Sequence, residues 1–201
     1  MEAPSLQELQ QARDVFAERE PRDLFYRAAT ELVSLAWAGK THLSLTEAIA
    51  VLLQTWNVSF YRFRGGFDSE HFYEVDALLK REREAMDAYR RRDIITLEPT
   101  EKTEIAPRFE DAEQVLGPVG AAKAYHLLAP RFFPIWDRKI AAAYKCVLAK
   151  AGTNGASYFR FMELAQQQVR DVVKAGFQGS NPLKALDEFN YCRFTNKWTV
   201  K

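Results

Sequence analysis

The chain has 201 residues, 47% hydrophobic and 27% charged, the composition of an ordinary globular protein with room for one well-buried domain. Its two cysteines, Cys146 and Cys192, lack metal-ligand spacing; an iron–sulfur cluster is excluded by count, and free buried thiols in a reducing interior are expected. The net charge of +1 conceals a gradient: the first hundred residues carry 13 Lys and Arg against 17 Asp and Glu, the remainder 15 against 10.

The N-terminus is polar and acidic without an apolar signal core, and no run approaches a membrane span, so a cytoplasmic chain with no membrane contact is expected. Leu6, Leu9, Ala12, Arg13 and Phe16 fall at helical spacing, and Pro21 ends that segment. A longer apolar helix is predicted from Leu24 to Trp37, stopped at Gly39. Ser44-Leu45-Thr46-Glu47 is a capping box that starts a helix at Leu45, predicted to run to Phe63 before Gly65-Gly66 breaks it. Asp68 or Ser69 caps the next, through Arg92, and Ile105 to Val115 is a short one. After a turn at Leu116–Gly120 come a helix from Ala121 to Leu128 and an extended Phe132-Phe133-Pro134, because the residue before proline avoids helical geometry. Asp137 is placed to cap a helix to Lys150. A helix from about Ser157 to Lys174 and one started by Asn181-Pro182 complete the chain. No strand alternation or repeat interrupts this pattern, which predicts an all-α fold.

The stretch 116–137, LGPVGAAKAYHLLAPRFFPIWD, concentrates the chemistry. Gly117 and Gly120, three apart around Val119, allow a tight turn whose backbone N–H groups face a phosphate, since no side chain blocks the approach. Between Val119 and Arg160 there are seven basic residues against the single acid Asp137, the local field phosphate binding needs. Arg62, Arg64, Arg131, Arg138 and Lys139 are candidate phosphate contacts. Trp56, Asn57, Phe60 and Tyr61 follow Gln54, and Trp136 adjoins Asp137. Aromatics at helical spacing are ordinarily core, but Asn57 inside so apolar a stretch requires a partner.

Leu116-Gly117-Pro118-Val119-Gly120 followed by Phe133-Pro134-Ile135-Trp136-Asp137, with Ala50-Val51-Leu52-Leu53-Gln54-Thr55 upstream, resembles the helix-hairpin-helix DNA glycosylase superfamily, in its 8-oxoguanine branch, over roughly residues 43–150. The hairpin's glycine and proline are transposed relative to the usual Leu-Pro-Gly-Val-Gly. Lys123 lies three residues after Gly120, one further than the lysine of members with lyase activity. The resemblance implies a two-lobed helical fold with an inter-lobe cleft, one lobe at about 43–128 and the other built from 1–42 plus 129–201. It implies a monomer acting on double-stranded DNA that flips out a damaged or modified base and cleaves its N-glycosidic bond, in base-excision repair or in defence against phage DNA. Asp137 is then the catalytic carboxylate and Lys123 the attacking amine. Gln54, Trp56, Asn57, Tyr61, His126 and Trp136 line the base pocket or DNA gap, and Gly117, Val119, Gly120, Arg131, Arg138 and Lys139 hold phosphates. Phe189, Tyr191 and Phe194 lie where the family supplies a stacking aromatic. No cofactor is expected beyond a monovalent cation at the hairpin. A non-catalytic hairpin that grips DNA, or a helical protein-interaction domain, are the competing readings.

Overall fold

The computed structural model describes residues 1–198, and every regular element among them is helical. In order these are α1 (Leu6–Arg19), α2 (Asp23–Trp37), α3 (Leu45–Trp56), α4 (Val58–Arg64), α5 (Ser69–Arg90), α6 (Lys102–Leu128), α7 (Arg138–Ala143), α8 (Gly155–Lys174) and α9 (Pro182–Asn190). Two short 3₁₀ segments link α5 to α6, and α9 runs into a π-helical turn at Tyr191–Thr195. Local chemistry dictates the starts. Ser5 with Glu8 and Ser44 with Glu47 form reciprocal capping boxes, and Asp68, Asp137 and Asn181 each accept from the first free N–H groups of their helices.

Three boundaries differ from expectation. The helix predicted from Leu45 to Phe63 is two, because Asn57 leaves helical geometry (φ −117°, ψ 30°) and its amide donates to Leu116 O at 3.3 Å. A tertiary partner thus outweighs local continuity. The turn predicted over Leu116–Gly120 contracts to a single residue: Gly117 alone is non-helical (φ 70°, ψ 164°), and α6 continues on both sides of it. The helix expected from Asp137 to Lys150 stops at Ala143, where Lys145 takes φ 58° and Cys146 N–H closes on Ala141 O. Beyond it, the Asn154 side chain bonds Ala149 N–H and Lys150 O and holds that segment as a loop.

Two apolar clusters hold the chain together. The larger joins Ile49 and Leu52 of α3, Phe109 of α6, Phe132, Phe133 and Trp136 of the α6–α7 connection, and Tyr158 of α8. The smaller joins Leu9 and Phe16 of α1, Val169 of α8, and Leu186 and Phe189 of α9. Each such side chain contributes about 1.5–3 kcal/mol by leaving water. No helix among the described residues is long and apolar enough to cross a membrane.

The α6–α7 connection, 129–137, delivers Asp137 to the start of α7. It has no regular structure yet is largely buried, so its carbonyls need partners from elsewhere. Asn181 Nδ2 donates to Pro130 O, Ile94 N to Arg131 O, His126 Nδ1 to Phe133 O at 2.7 Å, and Tyr158 Oη to Pro134 O at 2.8 Å. Trp136, wholly buried, packs among the rings of Phe109, Tyr158 and Phe161 and donates its indole N–H to Pro118 O at 3.0 Å. The residue after it is thereby fixed in place.

Candidate active site

A cavity of about 490 Å³ opens where the α1–α2 connection, the α3–α4 junction, the Gly117 kink, the start of α7 and the C-terminal π-helical turn converge. Lys123 and Asp137 both line it. Asp137 is half-buried at the N-cap of α7: its Oδ1 accepts from Lys139 N at 2.7 Å and Ile140 N at 2.8 Å, and its Oδ2 accepts from the Thr195 hydroxyl. Three donors fix its orientation.

Lys123 sits on the second half of α6, 8% exposed, with Nζ donating to Trp56 O. That carbonyl satisfies one proton and supplies no charge. Burial accordingly pulls the ammonium down to about 8, against the opposing pull of the Asp137 and Asp187 carboxylates, while Arg22 adds to the depression. The pull of Asp137 on Lys123 means the two groups share one local field.

Of the residues expected at a site, Trp56, Asn57, Gly117, Val119, Arg138 and Lys139 also line the cavity. Asn57 Nδ2 donates to Leu116 O, which joins the α3–α4 junction to the kink. Gly117 is required by its positive φ and by Phe60, whose ring would lie 2.8 Å from an added Cβ. Arg138 is exposed, and Lys139 donates to Thr195 O at 2.6 Å.

The others lie elsewhere. Gln54 is exposed on α3 and outside the cavity lining. Tyr61 is buried on α4 against His71, its hydroxyl 3.2 Å from Nε2. His126 is wholly buried: Nδ1 donates to Phe133 O, so Nε2 accepts from the Tyr26 hydroxyl at 2.9 Å, and burial pulls the ring down to about 4. It is a neutral core histidine holding the α6–α7 connection. Trp136 belongs to the larger apolar cluster rather than to the cavity wall. Gly120 is a packing residue inside α6, where an added Cβ would stand 2.6 Å from Asn57 Nδ2. Arg131 is committed to Asp93 at 2.7 Å. The C-terminal aromatics separate likewise: Tyr191 lines the cavity, whereas Phe189 packs in the smaller cluster and Phe194 against the larger.

Sequence reasoning missed Glu20, Arg22, Asp187 and Thr195, all in the lining. Asp187, 7% exposed on α9, is pushed up to about 6 by burial, because its cation Lys184 is shared with Asp23 and Glu188. The signal that could have found it is two charges, Lys184 and Asp187, one turn apart on the face that carries Leu183 and Leu186 inward. The Leu116 and Pro118 carbonyls on either side of Gly117 accept from Asn57 Nδ2 and the Trp136 indole N–H. Among the described residues no group of three or more His, Cys, Asp and Glu is placed to hold a metal.

No protein-family model matches the chain, and no curated protein or solved structure matches it either.

Proposed function

We propose that this chain is a DNA glycosylase of the helix-hairpin-helix kind, its two lobes meeting at the cavity and its hairpin formed by α6 on either side of Gly117. The observation that carries the reading is the convergence of a low-pKa amine, Lys123, and an oriented carboxylate, Asp137, on one cavity floored by the kink. Exposed Arg138 at the cavity rim adds a cation suited to a phosphodiester. The substrate is double-stranded DNA bearing a damaged or modified base, in repair or in defence against modified phage DNA.

Cleavage breaks the C1′–N bond, with the electron pair leaving on the base and positive charge developing on the sugar. Asp137, already held by Lys139 N–H, Ile140 N–H and Thr195, stabilises that charge without reorganising. With a pKa near 8, roughly a quarter of Lys123 is neutral amine at pH 7.5, against about a thousandth for an ordinary lysine. The amine can bond to C1′ and lose a proton, and ring opening then gives an iminium that borohydride reduces to a stable adduct. Trp56, stacked on Tyr26 at 5.7 Å, offers the cavity an aromatic wall for an extruded base.

The test is mass-spectrometric counting of free bases released from genomic DNAs and from phage DNAs with altered bases. Asp137→Asn, which keeps the cap, is expected to slow release by about 10²–10³-fold while retaining DNA affinity. Full DNA binding with no release by the wild-type chain would identify a non-catalytic module. Absence of salt-dependent DNA binding would leave a protein-interaction domain.

A further inference from the structure

The Glu20–Arg22 connection between α1 and α2 holds a guanidinium that its own neighbours leave partly unspent. Glu20 is 5% exposed and receives Arg22 side-on, Nε to Oε1 and Nη2 to Oε2, both at 2.7 Å. Nη2 also donates to the Tyr191 hydroxyl at 2.8 Å, and that hydroxyl donates to Glu20 Oε2 at 2.6 Å. The Arg22 carbonyl accepts the Trp56 indole N–H at 2.9 Å, which ties its backbone to the end of α3. The planar group is therefore held by Glu20 and Tyr191, and a fixed fork loses little freedom on binding. Its Nη1, with two N–H donors, makes no hydrogen bond among the described residues, although Arg22 lines the cavity and its side chain is half exposed.

We propose that Arg22 is a substrate-reading residue: Nη1 donates to a carbonyl oxygen on the edge of the extruded base. This rests on the glycosylase reading and names the part of the substrate that the residue touches. A base edge is favoured over a phosphate by charge. The Glu20 carboxylate neutralises the guanidinium at contact distance, so the pair offers directed donors without net charge, which suits a neutral carbonyl. Phosphate oxygens are better served by Arg138, which has no such counter-ion among the described residues.

Two measurements on wild type and Arg22→Ala decide the matter. The first is release of free base from genomic and modified phage DNAs. The second is affinity for a duplex carrying one tetrahydrofuran abasic analogue, which has phosphates but no base at the site. Arg22→Ala is expected to lower release by roughly 10–100-fold while changing affinity for the abasic duplex by less than about twofold. Equal loss on the abasic duplex would make Arg22 a phosphate contact and overturn the proposal. So would unchanged release. Should Arg22→Ala not fold, Arg22→Lys keeps a cation beside Glu20 but removes the fork, and wild-type release from it would overturn the proposal equally. No release by the wild-type chain would overturn the glycosylase reading itself, and this proposal with it.

Discussion

Lys123 and Lys184 are both buried, at 8% and 9% exposed, yet their ammonium groups meet opposite surroundings. Lys184 on α9 has Glu188 at 3.2 Å, Asp187 at 3.4 Å and Asp23 at 3.8 Å, with the rings of Phe16 and Tyr26 at 4.5 Å and 4.6 Å. Those carboxylates hold its ammonium above the usual lysine range despite burial. Lys123 on α6 has a backbone carbonyl and lies in the field of carboxylates engaged elsewhere, and burial wins. Depth sets the cost of a charge, and the immediate partners decide whether the group keeps it. One lysine is thereby a buried cation held by carboxylates, and the other a buried amine that gives up its proton more readily than an ordinary lysine.

Removing Lys184 should produce the largest effect. Lys184→Met leaves three carboxylates around an apolar side chain, and a loss of about 3–5 kcal/mol is expected in urea unfolding at pH 7. Lys123→Met should go the other way, gaining about 1–3 kcal/mol, because it removes a charge that folding desolvates. The dependence on pH has a definite sign. The folded pKa lies below the unfolded one, so between about 8 and 10.5 the unfolded chain binds the proton that the folded chain has lost, and wild-type stability rises with pH there. The advantage of Lys123→Met is therefore full below pH 8 and fades above it. Borohydride trapping on substrate DNA should track the neutral amine, rising roughly fifty-fold from pH 6 to pH 8. If both variants destabilise equally, the contrast between the two sites is wrong.

The same contrast separates what sequence could and could not foretell. The helix starts at Ser44–Glu47 and Asn181–Pro182 were legible because each is encoded within four residues. Lys123 and Asp137 were legible as candidates because they flank one local motif. Asn57 was legible only as a polar group in search of a partner. That its partner is Leu116 O, 59 positions away, is a tertiary fact, and it ended a helix that periodicity alone would continue. Arg22 and Glu20 were invisible for the same reason: each gains its meaning from Tyr191, 169 and 171 positions away in the chain.

A smaller effect is expected at the kink. Gly117→Ala meets both a positive φ and the Phe60 ring, whereas Gly120→Ala meets only the Asn57 amide and Leu116 within a helix. Gly117→Ala should cost about 1–3 kcal/mol by thermal or urea unfolding, from positive-φ strain plus displacement of the ring. Gly120→Ala gains helix propensity that offsets part of its clash, so it should cost less than Gly117→Ala. The reverse order would mean that the packing at Asn57, rather than the turn at Gly117, sets the geometry of α6.

The smallest effect distinguishes two exposed arginines ahead of and behind Asp137 in the chain. Arg131 is bound to Asp93 through both Nε and Nη2, and its Nη1 donates to Ser180 O. Arg138 makes no ion pair among the described residues and lines the cavity. A cation already neutralised releases few counterions when DNA binds, whereas a free one replaces about one condensed ion. Arg138→Ala is therefore expected to reduce the slope of log affinity against log salt by about one, and Arg131→Ala to leave it nearly unchanged. Arg131→Ala should instead register as a modest loss of stability, since it frees Asp93, which also caps the 3₁₀ turn at Ile94–Thr96. A salt slope that responds to Arg131 but not to Arg138 would move the DNA-facing surface away from the cavity, and with it the role given to Asp137.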